Sequence, residues 1–212
     1  MSKSVYSLLL NDEVVELLDK MARVNGLSRS SMIEKIVANA VGYETPEIRA
    51  NTVFEEIEKL LSRSNTMRYL EQPSLYMASI MSALSYRYNP AIRYSVELFP
   101  KSSYLGQLKV SLRTQNLTLI EHMSDFYTLY SFLEKKYYNE NARHIIDGAR
   151  FTRLFTFPRQ TISTKQLANY LTVFVKDFDE LLSLYFSNLT NPNLFSIIEK
   201  KFIELKSDTL VI

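Results

Sequence analysis

Few of the residues that could do covalent or metal chemistry in this chain stand where such chemistry would need them. Asp177, Asp179 and Glu180 gather three carboxylates, but no histidine or thiolate lies at metal-ligand spacing from them. Glu55, Glu56 and Glu58 form a second acidic group, which reads as the solvated face of a helix. The 2 histidines, His122 and His144, cannot build a metal site without carboxylate help, and there are no cysteines. Disulfides, thiolate zinc sites and cysteine nucleophiles are thereby excluded, and an intracellular setting fits best. No GxSxG elbow, phosphate loop, dinucleotide fingerprint or HExxH occurs. The expectation is a protein without catalysis, metal or cofactor. What remains is electrostatic chemistry. Ser28, Arg29 and Ser30 open a helix, where unpaired amides and the helix dipole favour phosphate, and Arg29 adds a full charge.

These residues belong to a stretch, residues 4–41, that organises the chain. In residues 4–10 the apolar alternation sets Tyr6, Leu8 and Leu10 on one face and Val5, Ser7 and Leu9 on the other, as in a strand. Asn11 is a good N-cap, and Asp12 and Glu13 suit the positive end of a helix dipole. Val14, Leu17, Leu18, Met21 and Ala22 recur at helical spacing until Gly26 ends the helix. Ser28 caps a second helix with a stripe of Met32, Ile33, Ile36, Val37, Ala40 and Val41, closed by Gly42. A lone strand cannot satisfy its backbone groups, so the unit is expected only as a homodimer, with Tyr6, Leu8 and Leu10 in the shared core. Up to residue 44, Lys3, Lys20, Arg23, Arg29 and Lys35 face six acids: Asp12, Glu13, Glu16, Asp19, Glu34 and Glu44. Four of those acids sit on the first helix. Lys3 and Arg29 lie at the strand and at the second helix's start, so the signs are segregated.

The sequence Leu10-Asn11-Asp12-Glu13, then Met21-Ala22-Arg23, then Gly26-Leu27-Ser28-Arg29-Ser30 and Ile33, resembles the ribbon-helix-helix superfamily. Within it, the likeness is to the Arc- and MetJ-like bacterial repressors and the small plasmid copy-control (CopG-like) type. It covers about a fifth of the chain. The resemblance implies double-stranded DNA as partner, with two strands paired across a dimer and laid in the major groove. It puts Val5, Ser7 and Leu9 toward the bases and the second helix's N-terminus on phosphate, with Lys3, Ser28, Arg29 and Ser30 as the phosphate contacts. The family's groove-facing positions are usually polar or basic. Here only Ser7 can hydrogen-bond a base edge, while Val5 and Leu9 can pack on thymine methyls.

Beyond residue 44 the pattern becomes that of a folded α+β domain. Thr45-Pro46 starts a helix, and Thr52 with Glu55 resembles a capping box, so residues 45–72 read as a helical connector running to about Leu70. From Ile80 the period changes to two. Ile80, Leu84, Tyr86 and Tyr88 form one strand, Asn89-Pro90 turns, and Ile92, Tyr94, Val96 and Leu98 form a second. Leu108, Val110 and Leu112 form a third. With Val96 facing Val110, Glu97 would face Lys109 in a two- or three-stranded antiparallel meander. Its polar face carries Arg93, Lys109 and Arg113, expected to be solvated, with nucleic-acid contact the alternative. Thr118 and Glu121 box a long helix to about Tyr138, with Leu117, Phe126 and Phe132 available for burial. In residues 143–165, Arg143, Arg150, Arg153, Arg159 and Lys165 alternate with Phe151, Phe155 and Phe157. Such a mixture can stack on nucleic acid. The expected reading is buried phenylalanines with arginines reaching outward. Ser163 with Gln166 boxes a further helix, Asn191-Pro192 opens a last one, and residues 207–212 end apolar.

The fold class expected is mostly α with a small antiparallel sheet. Residues 1–44 form the ribbon-helix-helix unit, 45–72 the connector and 73–212 a C-terminal α+β regulatory or interaction domain. With a net charge of +2, 46% hydrophobic residues and no apolar run of membrane-spanning length, the chain reads as a cytoplasmic protein. The function expected is a dimeric, sequence-specific DNA-binding transcriptional regulator, a repressor in type, with several dimers side by side on DNA. The alternatives are a plasmid partition or centromere-binding adaptor, or a scaffold using the ribbon only to dimerise. The C-terminal domain would bind an unknown ligand, a protein or further protomers.

Overall fold

A computed structural model describes residues 5–43, 45–62, 64–70, 74–158 and 160–206 of the 212. It separates into two compact units, residues 1–48 and 49–212. The described residues form α1 (Asp12–Val24), α2 (Arg29–Ala40), α3 (Pro46–Leu61), β1 (Met67–Tyr69), β2 (Met77–Ala83), β3 (Ala91–Leu98), β4 (Gly106–Leu112), α4 (Leu117–Tyr137), β5 (Arg143–Asp147), β6 (Arg150–Phe155), α5 (Thr164–Ser187) and α6 (Leu194–Lys206). The chain is mostly helical with one antiparallel sheet, as the sequence predicts.

In the first unit, local chemistry sets the helix ends. The Asn11 side chain accepts from the Glu13 amide at 2.9 Å and starts α1. Gly26, at φ 64°, lets the Leu27 amide reach back to the Ala22 carbonyl at 2.9 Å and closes it. Ser28 Oγ then accepts from the Ser31 amide at 3.2 Å and starts α2. Gly42, at φ 67°, repeats the closing turn, with the Tyr43 amide donating to the Ala38 carbonyl.

In the second unit the strands lie in the order β1-β2-β3-β4-β6-β5 and all pair antiparallel. One face carries Ile80, Tyr94, Val96, Val110 and Phe151, which share a core with Phe54 and Ile57 of α3, Met123 and Phe126 of α4, Phe174 and Phe178 of α5 and Phe202 of α6. Phe178 is the centre of an aromatic cluster, with ring centroids 4.6 Å from Tyr130, 5.3 Å from Phe151 and 5.4 Å from Phe126.

Several expectations change. The stretch 45–72 is not one helix: α3 ends at Leu61, residues 67–69 form the sheet's first strand, and Thr52 lies inside α3 rather than capping it. The meander is half of a six-stranded sheet. Its register pairs Val96 with Leu108 and Glu97 with Gln107, two residues away from the expected match. Lys109 still reaches Glu97 diagonally, at 3.3 Å. Tyr86 and Tyr88 lie in the turn after β2, where Tyr88 and Asn89 take positive φ. Asn116, not Thr118, caps α4, its side chain accepting from the Leu119 amide at 3.2 Å. Leu117, Phe132 and Phe157 are exposed. The expected docking tail at 207–212 lies outside the described residues.

Candidate nucleic-acid interface

Within the first unit Leu18, Ala22 and Met32 form one buried cluster, with Ile33 packed against it, and Ala38 is buried outside that cluster. That is a small core for some forty ordered residues. Around it, one stripe of α1 (Val14, Leu17, Met21, Val24) and part of α2 (Ile36, Val37) are exposed. So is all of residues 5–10, which pair with no described strand. Their exposure alternates toward α1: Leu8 is 62% and Leu10 42% exposed, against 99% for Val5 and 105% for Leu9, while Tyr6 stays at 83%. Val5 and Leu9, two of the residues predicted to face bases, are thus more open than Leu8 and Leu10.

At the start of α2, Ser28 Oγ is held by the Ser31 amide and lies 2.9 Å from Ser31 Oγ, so its hydroxyl is already committed to the cap. The Arg29 and Ser30 amides have no partner among the described residues. Arg29 is not free. Its Nε and Nη2 donate to both carboxylate oxygens of Asp19 on α1, at 2.7 and 2.6 Å. The hydrogen bond from Arg29 holds the Asp19 carboxyl below its usual range, and the same contact raises the guanidinium. Sequence reasoning missed this pair because its members are ten residues apart on different helices. Lys3 lies outside the described residues.

In the second unit each carboxylate of the acidic trio has its own contact. Asp177 accepts from Lys206 at 2.7 Å, Asp179 from Tyr94 at 2.7 Å and Ser82 at 3.0 Å, and Glu180 pairs with Lys201 at 2.9 Å. Burial pushes Asp177 up and Lys206 down despite their pairing, and it also raises Asp179. Arg153 departs from the expected outward reach. It is fully buried on the helix-facing side of the sheet, its Nη2 2.8 Å from Glu134 of α4, whose other oxygen lies 2.6 Å from His144 Nε2. Among the described residues no group of three potential ligands could hold a metal, and no helix is long and apolar enough to cross a membrane.

Neither a curated protein nor a solved structure matches the chain. Residues 7–44, which hold α1, the Gly26 turn and α2, match the model of the ribbon-helix-helix protein, copG family.

Proposed function

We propose that the protein is a homodimeric, sequence-specific DNA-binding regulator of transcription, acting in the cytoplasm by binding rather than catalysis. The observation that carries the reading is the apolar surface of residues 5–37, left open around a core of three residues in a segment that matches the ribbon-helix-helix family. A second copy of the chain is the natural cover. Pairing residues 5–10 across a two-fold axis would satisfy their backbone groups and bury Tyr6, Leu8 and Leu10. Val5, Ser7 and Leu9 would then line a two-stranded ribbon of a size the major groove admits. The Arg29 and Ser30 amides would meet phosphate, with the Arg29 fork shared between Asp19 and the DNA backbone. With one hydroxyl and two thymine-compatible apolar side chains per strand, the preferred site is AT-leaning, and specificity accumulates over several dimers.

Sedimentation and selection from a random duplex library test this. Leu8→Asp would place an unpaired charge in the shared core and should yield monomers with a disordered N-terminus. Leu9→Ala should relax sequence preference while random-DNA affinity holds. Arg29→Ala should weaken binding to all sequences. A stable Leu8→Asp dimer, or a GC-rich selected site, would overturn the reading.

A further inference from the structure

The face of the sheet turned away from the helices has a charge pattern that the N-terminal reading does not use. The register aligns Arg68 of β1, Met81 of β2, Arg93 of β3, Ser111 of β4 and Arg150 of β6 in one row across the sheet, ending at Asp147 of β5. With strands about 4.8 Å apart, the three arginines stand roughly 10 Å from one another and span about 20 Å. Beside this row a cleft of about 690 Å³ is lined by three arginines, Arg93, Arg113 and Arg150, against one acid, Asp147, with Ser111 and Thr114 among its hydroxyls. Arg68, Arg93, Arg113 and Arg150 form no ion pair among the described residues. The face's other acid, Glu97, is already occupied by Lys109 at 3.3 Å and Gln107 at 2.6 Å.

Unpaired guanidinium groups gathered on a concave surface repel one another and create a positive potential that an anion relieves. The shape of the array selects the anion. A row about 20 Å long suits a linear polyanion better than a single small phosphate. The neighbouring row holds Ser95 and Thr152, whose hydroxyls can donate to phosphate oxygens without reading sequence, and Lys109, which is bridged to Glu97. The paired positions on this face carry no aromatic ring, so they lack the aromatic platform on which single-strand binders stack successive bases.

We propose that this open sheet face, through Arg68, Arg93, Arg113 and Arg150, is a second, sequence-independent contact surface for the phosphate backbone of duplex DNA. The identity of the polymer rests on the proposed function above; the positive surface itself does not. In that arrangement the ribbon selects the site and the sheet adds affinity and salt dependence.

The test is fluorescence anisotropy of the full chain on a labelled random-sequence duplex across a salt series. Each phosphate contact contributes a slope of about 0.9 in log K against log salt. Arg93→Ala with Arg150→Ala should therefore lower the slope by about 2 per contacting protomer and weaken binding about 60-fold near 0.1 M salt. Arg93→Lys with Arg150→Lys should keep most of the slope, since phosphate accepts a point charge. The exposed helix lysines provide the control: Lys135→Ala with Lys200→Ala should change nothing. A slope equal to wild type in the double alanine variant overturns the proposal. So does a melting temperature raised by millimolar inorganic phosphate or ATP while the DNA slope stays unchanged, which would make the cleft a small-anion site. Arg29→Ala and Leu9→Ala in the same assay separate the two readings. Effects only there leave the ribbon standing and the sheet refuted; effects only in the sheet variants do the reverse. A wild-type chain that binds no duplex refutes both.

Discussion

Glu134→Gln isolates the charge of the buried cluster, because it keeps the side chain's volume. In the native chain Glu134 and Arg153 are both fully buried, with Arg153 Nε and Nη2 at 3.1 and 2.8 Å from one carboxylate oxygen. Arg153 Nη1 already lacks a partner, so the carboxylate is the guanidinium's main compensation. Removing one member of such a pair leaves an uncompensated buried charge and costs about 3–5 kcal/mol. For a domain of this size, at about 2–4 °C per kcal/mol, the melting temperature should fall by about 6–20 °C. Urea unfolding at pH 7, followed by circular dichroism and tyrosine fluorescence, measures this directly. Glu134→Met combined with Arg153→Met should recover most of the loss, since an apolar replacement of the whole pair needs no compensation. The residue of about 1–3 kcal/mol would belong to His144, left without its acceptor. Unfolding of Glu134→Gln within about 1 kcal/mol of wild type would refute the reasoning, because it would mean that water reaches Arg153.

The same carboxylate sets an acid limb. Burial pushes Glu134 up, but the Arg153 charge and the hydrogen bonds from His144 and Arg153 outweigh it and hold the group below its usual range. Its contribution is therefore complete above the unfolded value of about 4.3 and is lost as pH falls through the folded one. Stability curves from pH 6 to 3 should fall less steeply in Glu134→Gln than in wild type. Asp179 works the other way: burial raises it, so its cost appears as pH rises above about 3.9, and Asp179→Asn should steepen the net acid loss. Gly106→Ala should cost about 3 kcal/mol or more in urea unfolding, because the added Cβ would stand 2.1 Å from the Glu97 carbonyl oxygen, a backbone atom no rotamer can clear. Asp19→Asn should free the Arg29 fork, tightening binding to any duplex in anisotropy titrations while the melting temperature barely moves. A chain starting at Thr45 keeps every residue of the main core and should melt cooperatively on its own; a broad, non-cooperative trace would show that the first unit is needed.

The sequence revealed most where local chemistry decides. Asn11, Ser28 and the two glycines that close α1 and α2 fix those helices through contacts a few residues apart, and the Ser163–Gln166 box starts α5 as its spacing implies. The β3 and β4 strands showed themselves by strict alternation. β5 and β6 were hidden because Arg153 occupies an inward position, so the apolar period breaks where a buried salt bridge replaces a hydrocarbon. A signal was present: Gly148, at φ 54°, opens the two-residue turn Gly148-Ala149 between the paired Asp147 and Arg150. Register was illegible for a different reason. Shifting β3 against β4 by two residues keeps every side chain on its own face, so the pattern cannot tell the two pairings apart. At the candidate site α1, the Gly26 turn and α2 were readable from their motifs, whereas residues 5–10, expected as a strand, form none within the single chain. The Arg29–Asp19 bridge was not readable, because it depends on how two helices pack.

The order of the strands also determines where copies of this chain can join by their backbones. A sheet with free borders invites foreign strands, and proteins blunt such borders with shortness and charge. Among the described residues one border is β1, which offers three residues; the other is β5, which begins with Arg143 and ends with Asp147. Residues 5–10 carry no charge at all and leave both their apolar faces open. In the proposed dimer, strand-to-strand association would therefore fall to a six-residue segment near the N-terminus and not to the borders of the large sheet.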